Sequence, residues 1–254
     1  MTLRFETTGS GPTKVLVTHN WMATIRSYDL ARRYVDEQAF TYAFVDLRGY
    51  GLNREVPGRH TAVEAAADLI EVADALGWNE FNVVGHSMSG MIAQRVCVEA
   101  PKRVRSLVAI TPVTAAGMPM DAQTKGVFTA AATQDEAWLG LADMFTSARL
   151  PKRWYAEELA AFRRDVDASG PLGYLEMLQG PAFADAMQGL TIPALAILGR
   201  HDFAAFTEEA MRATLGQWLP SLAIETIESS GHHPMLETPA YFVAVLEKFL
   251  RTVN

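Results

Sequence analysis

In GHSMSG, residues 85–90, one serine, Ser87, has small residues two places to either side, Gly85 and Ser89, directly after an apolar run and directly before a helical pattern. A serine on a sharp strand-to-helix turn fits that setting. The turn brings residues 85 and 89 against neighbouring backbone, so both must be small, and it holds the serine in a strained conformation with its hydroxyl exposed. It also aims the backbone N–H of Met88, at a helix N-terminus, toward any oxyanion that forms on an attacked carbonyl. A serine hydroxyl is a poor nucleophile without a base, and the base needs an orienting carboxylate. GHHPMLETP, residues 231–239, offers two imidazoles, His232 and His233. Pro234 biases His233 toward an extended conformation, and either ring can face the site. No third ligand stands at useful spacing, so the pair is not read as a metal site. The carboxylate should hang from a strand end between serine and histidine. ALAILGRHD supplies Asp202, three residues after Gly199, whereas the segment ITPVTAAGM has no carboxylate before Asp121.

These residues need strand ends to carry them. Short apolar, β-branched runs recur at KVLVTH (14–19), YAFVD (42–46), FNVVG (81–85), RSLVAIT (105–111), ALAILG (194–199) and LAIETIE (222–228). Continuous apolar strands are what a parallel sheet covered on both faces demands. Helical patterns separate them. TAVEAAADLIEVADALG (61–77) has a threonine N-cap, Glu64 at capping-box spacing and a closing Gly77, and MSGMIAQRVCVEAP (88–101) stops at Pro101. The alternation predicts a right-handed, doubly wound α/β sheet, which binds ligands at the carboxyl ends of its strands. After Thr111-Pro112 the rhythm breaks into helical stretches at 135–147, 152–169 and 173–187, and the strand pattern resumes at TIPALAILG. That reads as a helical insertion between two strands of one sheet.

On these motifs the chain resembles the α/β-hydrolase superfamily, in its serine branch. GHSMSG is similar to the family's nucleophile elbow GxSxG, with Ser89 where the second glycine is usual; GHHPMLETP is similar to GHxPxxExP, and GRHD to GxxD. The resemblance runs from the first strand to the last helix. It implies an α/β-hydrolase fold, a mostly parallel doubly wound sheet with a core of residues 1–112 and 188–254 and a helical lid, 113–187, inserted after the sixth family strand. It also implies Ser87 as nucleophile, His232 as base and Asp202 as the acid that orients it, in the family's order. The second oxyanion donor falls in the loop after KVLVTH, where the family usually has HGx and this chain has His19-Asn20-Trp21. Asn tolerates φ > 0 best after Gly, so the loop is expected to survive with the backbone N–H of Trp21 joining that of Met88. DLRGYGLN, similar to DxRGxGxS, is assigned architecture and no chemistry. Among the insertion's side chains, Trp138, Trp154, Tyr155, Met118, Met120 and Met144 are candidates for a substrate pocket, with core packing expected for at least half.

The activity implied is acyl transfer to water on a small, largely apolar carboxylic ester or lactone, with no cofactor. Residues 85–110 look like those of small bacterial esterases and lactonases. Carbon–carbon bond hydrolases and cofactor-free oxygenases share the scaffold, and a slowly turning-over ligand receptor is a further alternative that the HNW departure keeps open. Dehalogenases and epoxide hydrolases use an aspartate nucleophile, and aminopeptidase relatives carry a longer HGGPG loop.

Composition narrows the partners. With 22 Lys and Arg against 29 Asp and Glu, a net charge of -7, and no basic block, nucleic acid is not expected. Cys97 is the only cysteine, which suits a reducing compartment. The polar N-terminus lacks a leader pattern and no apolar run is long enough for a membrane span, so a cytoplasmic protein is expected, with room for a homodimer.

Overall fold

The structure is a computed structural model that describes residues 2–253. Its sheet explains the continuous apolar runs. Neighbouring residues of a strand point to opposite faces, and both faces are covered. Leu16, Val45, Val83, Leu107 and Ala196 pack into one core, whereas Val15, Val17, Phe44, Val84, Val108 and Ile197 pack into a second. The strands are β1 (Phe5–Thr8), β2 (Thr13–Thr18), β3 (Phe40–Val45), β4 (Phe81–His86), β5 (Val104–Ile110), β6 (Ala194–Gly199) and β7 (Leu222–Ile227), in the order β1-β3-β2-β4-β5-β6-β7. All pairings are parallel except β1 with β3. The polar FETT segment of β1 carries too little apolar signal to be predicted as a strand, and only its pairing with β3 makes it one.

Helices α1 (Ala62–Ala75) and α2 (Met88–Glu99) cover the first core through side chains such as Leu69, Val72, Ile92 and Val96. The capping prediction for α1 is met with one difference. Thr61 accepts from Glu64 N–H, while the Glu64 carboxylate takes the N–H groups of Arg59 and His60 rather than that of the cap itself. Between β5 and β6 lie α3 (Ala122–Ala131), α4 (Asp135–Thr146), α5 (Lys152–Asp165) and α6 (Ser169–Gln179). The sequence reading has no helix at α3, whose buried face is only Phe128 and Ala131. It also runs α5 too far, because Val166 turns extended to form a β-bridge with Tyr50. Gly180-Pro181 ends α6 earlier than expected. Short α7 (Glu208–Ala213), α8 (Leu215–Trp218) and α9 (Pro234–Glu237) follow, and α10 (Pro239–Val253) covers the second core with Phe242, Leu246 and Leu250. Burying each of these contributes roughly 1.5–3 kcal/mol.

Two features of this topology build a site. The chain moves from β2 outward to β3, then returns across β2 to β4, so the strand order reverses between β2 and β4 and opens a crevice at their carboxyl ends. Register then lines up the loops: Thr18 lies beside Gly85, His86 beside Ile110, Ile110 beside Ile197, and Gly199 beside Ile227. The segments after β2, β4, β6 and β7 therefore leave the sheet on one edge.

Candidate active site

Ser87 is the single residue between β4 and α2, with φ 54° and ψ -115°. A side-chain-bearing residue with positive φ is strained, and the surroundings must hold it there. They do so through Ser87 N–H donating to Ile110 O at 2.8 Å and Ser87 O accepting from Gly90 N–H at 2.8 Å and Val113 N–H at 2.9 Å. The need for small residues has a direct cause at Gly85, where a Cβ would lie 2.1 Å from Ser89 O. Ser89 donates its hydroxyl to His19 O, which ties the turn to the loop after β2.

His232 Nδ1 lies 2.7 Å from Asp202 Oδ2, with both side chains almost fully enclosed. The carboxylate can only accept, so Nδ1 carries the proton of this bond. Asp202 is itself fixed, its Oδ1 accepting from Phe203 N–H at 2.6 Å. The imidazole of His232 stacks on Phe145, with ring centres 4.4 Å apart, and leans on Phe206 at 4.7 Å. Its carbonyl accepts from His86 Nε2–H at 2.7 Å and from the Thr111 hydroxyl at 3.2 Å. His86 and His233 lie 5.2 and 5.4 Å from the His232 ring. Burial, and then the neighbouring imidazoles, hold both well below the ordinary histidine range. They are neutral at pH 7 and do not compete for a proton.

Ser87 and His232 line one cavity of about 20 Å³, together with Asn20, Trp21 and Met88. The rest of the wall is apolar: Met22, Val113, Met118, Phe128, Phe145, Leu178 and Phe206. Met88 is the first residue of α2, so its N–H is one of those a helix leaves without an intrahelical acceptor. Trp21 is fixed at both ends, its carbonyl accepting from Tyr50 OH at 3.0 Å and its indole N–H donating to Pro171 O at 2.8 Å. Asn20 departs from the expected reason for its tolerance. It is not among the positive-φ residues. Instead its Oδ1 accepts from Met22 N–H at 2.7 Å and its carbonyl accepts from His19 Nδ1–H at 2.7 Å, while His19 Nε2 accepts from Leu47 N–H at 3.0 Å. Asn20 Nδ2 is buried with no partner. The amide cannot be turned over to give it one, since that would set Nδ2 against the Met22 donor.

Of the six pocket candidates in the insertion, only Met118 lines this cavity. Trp138 is packed in the core, Met144 is exposed, and Trp154 and Tyr155 pack on each other, with the Tyr155 hydroxyl 2.6 Å from that of Thr146. Phe128, Phe145 and Phe206 line it instead, and no periodicity distinguished them from core residues. The DLRGYGLN loop is tied locally, Arg48 making two 2.7 Å bonds to Asp68. Gly49 (φ +84°) lies so close to the insertion that a Cβ would come within 2.6 Å of Gly170 Cα. Cys97 is buried, and burial pushes its thiol up to about 12. Among the described residues no group of three or more His, Cys, Asp or Glu side chains could hold a metal ion, and no helix is long and apolar enough to cross a membrane.

The arrangement has counterparts. The sequence model of the alpha/beta hydrolase family matches residues 15–245. The chain is 27% identical over 259 residues to a pimeloyl-[acyl-carrier protein] methyl ester esterase of Nitrosomonas europaea, a match covering 96% of this chain and 98% of that one. Its fold is similar to that of the esterase EaEST from Exiguobacterium antarcticum, with a TM-score of 0.85 at 19% identity over 98% of this chain and 95% of that one. It is also similar to the enol-lactonase from Burkholderia xenovorans LB400, with a TM-score of 0.84 at 18% identity over 98% and 96% of the two chains.

Proposed function

The chain belongs to the alpha/beta hydrolase family, and on that premise we propose that it is a serine hydrolase that cleaves a small carboxylic ester or lactone through an acyl-enzyme. Ser87 Oγ attacks the carbonyl carbon as His232 Nε2 takes its proton. Asp202 holds the imidazole by Nδ1–H and stabilises the imidazolium that forms. The N–H groups of Trp21 and Met88 receive the developing oxyanion, a role in which each donor contributes on the order of 10²–10³ in rate. Collapse of the tetrahedral intermediate breaks the acyl–oxygen bond, and His232 returns its proton to the departing alkoxide, which stays tethered in a lactone. A water deprotonated by His232 then attacks the acyl carbon, the bond from that carbon to Ser87 Oγ breaks, and His232 returns the proton to Oγ as the acid leaves. Helices α3–α6 serve as the lid of this site, residues 113–187 in all, and their apolar side chains favour an apolar acyl group.

The observation that carries this reading is the 2.7 Å Asp202–His232 pair opening onto the same cavity as a serine held at positive φ. The similarity to an ester-cleaving relative along nearly the whole chain supports the ester as substrate class. The test is steady-state turnover of p-nitrophenyl esters from short to medium acyl chains. Wild-type protein is expected to turn over many times, and Ser87→Ala to lose at least about 10⁴-fold in kcat. A single stoichiometric burst, no release at all, or a Ser87→Ala variant of undiminished rate would overturn the proposal.

A further inference from the structure

The segment that ends α4 is shaped at a cost and aimed at the base. Ser147 and Ala148 are consecutive side-chain-bearing residues in left-handed conformation, φ 52° and 51°. Each is disfavoured because its Cβ crowds the following carbonyl, and two in succession persist only where the surroundings over-determine them. What they achieve is a turn that faces the loop after β7. Phe145 O accepts the N–H of His232 at 3.0 Å, and the Phe145 ring stacks on the same imidazole. The Ser147 hydroxyl donates to the carbonyl of His201, the residue before Asp202, at 2.8 Å. Beyond the turn, the Arg149 guanidinium pairs with the Glu237 carboxylate, whose side chain is 2% exposed. Glu237 in turn accepts from Gly231 N–H at 2.9 Å and His233 N–H at 3.1 Å. Three successive backbone donors, at 231, 232 and 233, therefore end on Phe145 O or on the carboxylate that Arg149 neutralises. The approach is close enough that a Cβ on Gly231 would lie 2.8 Å from Phe145 O.

We propose that the turn at residues 145–149 is a positioning element for the proton-transferring histidine, in which Arg149 acts on His232 through Glu237. The inference rests on His232 being the base. Its physical basis is the burial of Glu237. A carboxylate shut away from water holds its hydrogen bonds at fixed geometry when a guanidinium balances its charge, and an unbalanced one draws water or shifts to find it. Either response releases the two N–H groups that flank His232, and the ring loses the alignment between Asp202 and Ser87. Arg149 does not line the cavity, so substrate contacts stay as they are. Proton transfer tolerates misalignment poorly, so the effect belongs on turnover rather than binding.

The experiment is a double-mutant cycle of Arg149→Gln and Glu237→Gln, with Arg149→Lys as the conservative variant, read by kcat and KM on a p-nitrophenyl ester and by the His232 Nδ1–H proton resonance in NMR. Each single variant is expected to lower kcat by about 10- to 100-fold with KM within about twofold. The double variant falls no further than the worse single one, Arg149→Lys recovers part of kcat, and the Nδ1–H resonance broadens or disappears in Arg149→Gln. Unchanged kcat, a change in KM alone, or multiplied effects in the double variant would overturn the proposal. If wild-type protein cleaves no ester, the hydrolase reading fails, and the resonance decides the positioning claim by itself: retained in Arg149→Gln, it refutes the claim; lost in a variant that stays folded, it upholds it.

Discussion

Asn20 shows how one residue can satisfy a family pattern by a different device. A glycine in this loop supplies conformational freedom, whereas Asn20 supplies an acceptor, its Oδ1 binding Met22 N–H while its backbone stays out of the positive-φ region. Asn20→Gly is therefore expected to lose stability and rate rather than gain either. The Met22 N–H is buried, and leaving it without its partner costs about 1–3 kcal/mol. The Trp21 N–H beside it loses its fixed direction, which should lower kcat by about tenfold, less than outright loss of an oxyanion donor. Ester kinetics and thermal unfolding of the variant check this, and wild-type values in both would remove the loop-holding role of the amide. Ser87, Asp202 and His232 are legible in the sequence as candidates because each follows a strand within a few residues. Phe145 and Arg149 are not, because one acts through its carbonyl and the other through a second residue. No pattern in side-chain type reports such contacts.

The elements were legible where burial is two-sided and obscure where it is not. Six of the seven strands follow apolar runs, to within a residue or two at most ends, the edge strand β7 among them, whereas the other edge strand, β1, is the polar FETT and gives no such signal. Between β5 and β6 three helices are apparent and α3 is not, and the limits of α5 and α6 are obscure because tertiary events bound them, the Tyr50–Val166 bridge and the Asp167 N–H bond to Gly49 O at 2.9 Å. The turn between β4 and α2 has little slack. Gly85→Ala would drive a methyl to 2.1 Å from Ser89 O, which is backbone and cannot rotate away. The expected cost is at least about 1–3 kcal/mol of stability. Urea unfolding of Gly85→Ala measures it, and a midpoint equal to the wild type's would show that the turn has room it is not credited with here.

At the scale of the molecule, buried titratable groups set how stability follows pH. His19, His86 and His233 are enclosed, and burial lowers each from an ordinary value of 6.5. Below about pH 6.5 the unfolded chain binds protons there that the folded chain does not, so their contribution is intact above that pH and lost as pH falls. Each imidazole gives a slope of up to about 1.4 kcal/mol per pH unit. Glu158 opposes them: burial pushes it up to about 7 from 4.5, so its contribution is present at low pH and lost as pH rises through 7. His60 is lowered by burial as well, and four imidazoles against one carboxyl predict a lower Tm at pH 5.5 than at pH 7.5. Calorimetry at those two values tests it, and an equal or higher Tm at pH 5.5 would contradict the assignment of neutral buried imidazoles.

The cavity beside Ser87 has a consequence for affinity. At about 20 Å³ it holds one water and no ester. Side chains of its apolar wall have to rearrange before anything larger can enter, so a binding-competent form would differ from the one described. An apparent dissociation constant is then the intrinsic one divided by the competent fraction, and a form present at about 1% weakens binding about a hundredfold. Phe128 on α3, which lines the cavity, would thereby tune how tightly a substrate is held, because it bears on how often the door stands open.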